Sequence, residues 1–146
     1  MHRLEQHALW LGNAGDVGDI RRVLDLGIRA LVDLALNEPV PQLPRDILYC
    51  RFPLVDGAGN DPWMLVSAID MVASLLKLEL PTLVFCSAGL SRAPAIVAAA
   101  LSATTATPPD ECLKMIAASV SHDMNPGFWS DVVAVCRSRQ QRSAPL

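Results

Sequence analysis

The sequence predicts an α/β fold, a small mixed central sheet flanked by helices, and three observations carry that reading. Short apolar runs at 8–11, 28–36, 47–52 and 82–85 fall early and centrally, with helical periodicities before, between and after them. Helix punctuation recurs, with Gly27 as a stop and Asp61-Pro62 and Asn125-Pro126 as starts. A content of 51% hydrophobic against 18% charged residues in a chain of 146 suits one compact domain rather than disorder. That domain is expected to span residues 1–146, with its core at about 8–139 and a frayed tail at 140–146.

Taken in order, Ala8-Leu9-Trp10-Leu11 followed by Gly12-Asn13 reads as a strand and turn. Val17, Ile20, Val23, Leu24 and Leu26 recur at near-helical spacing, so one helix is expected over 16–26. A strand over 28–36 follows, then a connection made irregular by Pro39, Pro41 and Pro44, then a strand over 47–52 closed by Pro53. Asp61 is placed to cap a helix that has Pro62 at its first position and runs to about Leu78. That helix is apolar nearly all round, Asp70 and Lys77 excepted, and so is expected to pack deep. After a strand over 82–85, small residues at 95–103 make a helix able to lie close to a sheet. Thr107-Pro108 predicts a capped helix to about Ala118, and Asn125-Pro126 a last helix ending near Arg139.

The net charge of −3 offers no basic field for nucleic acid or an anionic membrane surface, so neither is expected as a partner. No uncharged apolar stretch is long enough to span a bilayer, and residues 1–7 lack the apolar core of a secretory signal. Cys50, Cys86, Cys112 and Cys136 lack metal-type spacing and need not be staples, which favours a reducing cytoplasmic setting without metal or cofactor. Cys50, Cys112 and Cys136 read as buried thiols, any of which could cap an oxidised Cys86 as a disulfide. Trp10, Trp63 and Trp129 read as core or rim, Trp63 being near enough to Asp56 in sequence to contact a substrate.

Chemistry concentrates at 82–94. Cys86 ends a buried strand, where open α/β sheets place ligands. Ser87, Ala88, Gly89, Leu90 and Ser91 then form a small-residue loop whose backbone N–H groups can turn inward as an anion nest. Gly89 supplies the permissive turn. The helix beginning near Ser91 adds unpaired N–H groups and the positive end of its dipole, favouring a phosphate-like dianion and the thiolate form of Cys86. Arg92 can grip two phosphoryl oxygens with its planar fork.

Cys86-x5-Arg92 between strand and helix, with Gly89, Ser91 and Pro94, resembles the signature of the cysteine-dependent phosphatases, specifically their dual-specificity branch. Residues 9–14 with 26–28, Phe52-Pro53-Leu54-Val55-Asp56 and Asn125-Pro126-Gly127-Phe128 extend the resemblance to about residues 8–136. It implies a phosphatase acting on phosphotyrosine, and on phosphoserine or phosphothreonine. Cys86 would be the nucleophile, residues 87–92 the phosphate cradle and Asp56 the general acid, with Asp61 as a rival acid.

Two positions depart from the family pattern: Phe85 stands where His is usual, and Ala93 where Ser or Thr is usual, with Ser91 a nearby substitute hydroxyl. These departures keep open a catalytically impaired phosphate- or phosphopeptide-binding module. A sulfur-transfer or arsenate-reducing enzyme is a further alternative, though about 85 residues precede the loop here, against few in the arsenate reductase type. Physiological substrate and oligomeric state stay open.

Overall fold

The computed structural model describes residues 1–145. Five strands, β1 (His2–Arg3), β2 (Leu9–Asn13), β3 (Ala30–Ala35), β4 (Leu48–Leu54) and β5 (Thr82–Cys86), form one sheet in the order β1-β2-β5-β3-β4. β2, β5, β3 and β4 are parallel, and β1 runs antiparallel to β2, so the sheet is mixed. β5 is central, with Leu83 paired to both Trp10 and Leu31, and its five residues are all buried. This accounts for its unbroken apolar character.

Strand alternation divides the core in two. Leu9, Leu11, Val32, Leu34, Val84 and Cys86 face one way, packing with the four long helices α3 (Pro62–Lys77), α4 (Arg92–Thr104), α5 (Pro109–Ala117) and α6 (Pro126–Ser143). Trp10, Leu31, Leu83 and Phe85 face the other way, packing with Val17, Val23 and Ile28 around the short helices α1 (Ala14–Gly18) and α2 (Ile20–Asp25). In α4 every residue from Arg92 to Leu101 is buried. Its alanines let it run between the sheet and its helical neighbours, where a larger side chain would hold the layers apart.

Several sequence expectations are revised. The helix over 16–26 is two helices, broken where Asp19 (φ −97°, ψ 71°) leaves helical geometry and uses its carboxylate to cap Arg22 N–H. At α5 the cap is Pro108, not Thr107. Pro109 pushes the residue before it into extended geometry (φ −61°, ψ 152°), so the helix begins one residue later and without a side-chain cap. Asp61 does stand before α3 but makes no capping hydrogen bond. α3 is buried on one side only: Asp70, Ser74 and Lys77 face solvent, and Trp63 is 63% exposed. α6 continues to Ser143, held to α3 by the Arg139–Asp70 ion pair, so most of the expected tail is helix. Strand β1 went unforeseen, Gly12 and Asn13 belong to β2 rather than a turn, and Cys50 is only partly buried. No helix among the described residues is long and apolar enough to cross a membrane.

Candidate active site

At the carboxyl ends of the parallel strands lies a cavity of about 460 Å³, lined in part by Cys86, Ser87, Leu90, Ser91, Arg92 and Asp56. Residues far apart in sequence thus converge because β3, β4 and β5 all end at one edge of the sheet. Cys86 is the last residue of β5, opposite Asn13 in register and 2% exposed.

The loop after Cys86 turns on Gly89, whose φ of +75° disfavours any side chain. A Cβ there would also lie 2.7 Å from the Gly12 carbonyl oxygen. Glycine is therefore demanded twice, by conformation and by close approach. The loop is tied down through its carbonyls, with Ala14 N–H donating to Ser87 O and Asp123 N–H to Leu90 O. Among the described residues, none of the backbone N–H groups of residues 87–92 donates a hydrogen bond within the chain. Donors left free beside a cavity at a helix start are what an anion requires.

Arg92 is 5% exposed and braced from three strand ends. One terminal nitrogen donates to Leu54 O (2.8 Å), Asn37 Oδ1 (3.1 Å) and Leu34 O (3.4 Å), and the other donates to Ser87 Oγ (2.9 Å). Its Nε is buried without a partner. A buried guanidinium with an unused donor and no carboxylate hydrogen-bonded to it is a strong receptor for an oxyanion.

Asn37 is a site residue that the sequence reading missed. Its Oδ1 accepts from Arg92 and from Ser87 Oγ (2.9 Å), closing a triangle of three side chains. The segment carrying it is held by Arg51, which donates to the carbonyls of Ala35, Leu36 and Glu38. Arg51 in turn lies 3.9 Å from buried Asp33, which accepts a 2.5 Å hydrogen bond from Tyr49. Burial, reinforced by Asp33, pushes the Tyr49 hydroxyl far above its ordinary range, so this brace stays protonated.

Asp56 is exposed on the loop between β4 and α3, and its Oδ1 accepts a 2.7 Å hydrogen bond from Ser91 Oγ. Ser91 Oγ also accepts from Asn125 N–H (3.1 Å), so one hydroxyl joins the residue 87–92 loop, the Asp56 loop and the start of α6. Asn125 both caps α6 through Phe128 N–H and donates from Nδ2 to Asp56 O. Within the loop Asn60 bonds both backbone groups of Val55, and Asp131 of α6 accepts from Gly59 N–H. Asp61 and Trp63 do not line the cavity. Trp63 lines a larger groove, about 750 Å³, between α3 and α6.

The two departures have structural reasons. Phe85 is 2% exposed and points to the α1/α2 face, away from Cys86, filling an apolar cluster with Trp10 and Val17. Ala93 is fully buried in the opposite core. Neither can hydrogen bond to the loop, and the Ser91 hydroxyl is committed to Asp56. The other three thiols are poor nucleophile candidates, because burial pushes Cys50, Cys112 and Cys136 upward in pKa. Among the described residues no group of His, Cys, Asp and Glu is placed to hold a metal ion.

No protein-family model matches the sequence, and no curated protein matches it either. Solved structures do. Human DUSP28 superposes with a TM-score of 0.81 at 24% identity, covering 93% of this chain and 96% of its own. The fold is that of the dual-specificity phosphatases. A mouse putative dual-specificity phosphatase, solved with zinc tungstate, gives 0.80 at 24% identity over 93% of this chain and 86% of its own. The human tyrosine phosphatase-like serine/threonine/tyrosine-interacting protein shares the same fold at 0.76 and 17% identity, with 92% of each chain covered.

Proposed function

We propose that this protein hydrolyses phosphomonoesters through a phosphocysteine on Cys86, acting on phosphotyrosyl and also phosphoseryl or phosphothreonyl proteins. The observation that carries the reading is the buried, braced Arg92, with Nε unpartnered, beside free loop amides in the cavity that holds Cys86 and Asp56. The tungstate complexed with the mouse relative is a tetrahedral oxyanion of the kind such a cradle suits.

In the first step Cys86 Sγ attacks phosphorus in line as the bond to the ester oxygen breaks, and Asp56 gives that oxygen a proton. Ser91 occupies Asp56 Oδ1, which leaves Oδ2 to carry the transferable proton. Loop amides and Arg92 meet the charge on the non-bridging oxygens. In the second step water attacks phosphorus, Asp56 takes the water's proton, and the S–P bond breaks to release inorganic phosphate and the Cys86 thiolate.

A second reading, a phosphate- or phosphopeptide-binding module with impaired turnover, is favoured by Phe85 and Ala93, which offer no polar group to the loop or thiolate. Hydrolysis of a generic aryl phosphate by wild type, Cys86→Ser and Asp56→Asn separates the readings. The enzyme requires a loss of about three orders of magnitude or more in Cys86→Ser, and of about 100-fold in Asp56→Asn when the leaving group is unactivated. An inert wild type that still binds phosphopeptide establishes the module. Thiosulfate turnover without phosphatase activity would instead indicate sulfur transfer.

A further inference from the structure

The cavity holds one more ionisable side chain, Asp123, on the connection between α5 and α6. Its backbone N–H is fixed to Leu90 O (2.9 Å) at the tip of the cradle, and this exposed acidic residue lines the cavity. Arg92 is the sole cation among the lining residues, against the carboxylates of Asp56 and Asp123. Arg92 lies at the bottom, buried; the carboxylates are exposed. Between them the rim is apolar, with Leu36, Val55 and Leu90 exposed by 49%, 49% and 39%.

Resting on the phosphatase reading, we infer that Asp123 makes this a site for phosphopeptides with Lys or Arg beside the phosphorylated residue. The floor accepts one dianion. A second anion nearby, whether a flanking Glu, another phosphate or a polyphosphorylated headgroup, meets Asp123 with no cation among the lining residues to offset it. A flanking guanidinium or ammonium meets an acceptor, while its aliphatic stem lies along Leu90 or Val55. The contact is exposed, so it acts through modest attraction and repulsion and weakens with salt.

The test uses two tyrosine-phosphorylated peptides identical except for Arg or Glu on either side of the phosphotyrosine. Their affinities for Cys86→Ser, which do not depend on turnover, are measured alongside kcat/KM in the otherwise unmodified protein. The Arg peptide is expected to win by about threefold to tenfold in both. In the Cys86→Ser background Asp123→Asn should bring the affinity ratio close to one, and Asp123→Lys should invert it. High salt should compress the difference. Equal affinities for the two peptides, or a ratio untouched by Asp123→Asn, would overturn the assignment even if aryl phosphate is hydrolysed briskly. An inert wild type whose Cys86→Ser variant still prefers the Arg peptide would retain it and discard only the catalytic reading. Binding of neither peptide would discard both.

Discussion

In the loop of residues 86–92, Cys86, Ser91 and Arg92 are 2%, 4% and 5% exposed, while Val55 and Asp56 across the cavity lie open to solvent. The first loop is continuous with the core: a central strand runs into it, a wholly buried helical stretch runs out, and Arg92 binds the ends of β3 and β4. The second is tied by three side-chain hydrogen bonds, two from the start of α6, Asn125 to Asp56 and Asp131 to Gly59, and one from Ser91 to Asp56. A receptor for charge gains from being fixed before the ligand arrives, since nothing then reorganises during the reaction. A proton donor must reach ester oxygens of different shapes, and a loop held at its margin can do so. Damage to the first loop should therefore cost stability and phosphate affinity together, and damage to the second should cost only the proton-transfer step.

The strongest way to break that contrast is Arg92→Lys. Lysine keeps the charge but cannot hold Leu54 O, Asn37 and Ser87 at once while offering a donor to phosphate. We expect kcat/KM for an aryl phosphate to fall about 100- to 1,000-fold, inhibition by inorganic phosphate to weaken in parallel, and the melting temperature to drop. Unchanged thermal stability would mean that Arg92 serves the ligand without bracing the strands. Gly89→Ala comes next. It sets a methyl against the Gly12 carbonyl at a positive φ, so about 1–3 kcal/mol of stability should be lost, together with about tenfold or more in phosphate affinity. A variant that melts lower but binds phosphate normally would show that the loop's strain and its anion site are separable.

The first loop was legible in the sequence because its logic is local. An apolar run, a cysteine, small residues around Gly89 and an arginine opening a helix lie consecutively, and each carries its own conformational signal. Asp56 was singled out through resemblance, since nothing local distinguishes it from Asp61, and of the two only Asp56 lines the cavity. Asn37 and Asp123 were missed for a tertiary reason. One follows β3 and the other sits between two helices, and only the sheet order β5-β3-β4 and the packing of α6 bring them to Cys86. Asn37 had a usable signal, since it lies two residues beyond the end of β3 and so falls at the ligand-binding edge; Asp123 had none. The misplaced ends of α5 and α6 differ in cause: at α5 it is local, Pro109 acting on its neighbour, whereas the partner that holds Arg139 lies on another helix.

The smallest expected effect is the most discriminating. Asp131 touches no cavity-lining group and contacts the acid loop at Gly59 N–H, an exposed hydrogen bond of 2.8 Å. Asp131→Ala should leave phosphate inhibition and melting temperature nearly unchanged, because neither the cradle nor a buried group loses a partner. It should, however, widen the range of positions Asp56 visits, even though Ser91 and Asn125 still hold it. The consequence depends on the leaving group. An activated aryl phosphate departs as a stable anion and needs little proton donation, whereas an unactivated ester needs Asp56 in place. Turnover of the unactivated ester should fall about twofold to fivefold while the activated one holds steady. Equal losses on both esters would mean that the acid loop also shapes the phosphate site, and the division between a fixed cradle and a tethered acid would not stand.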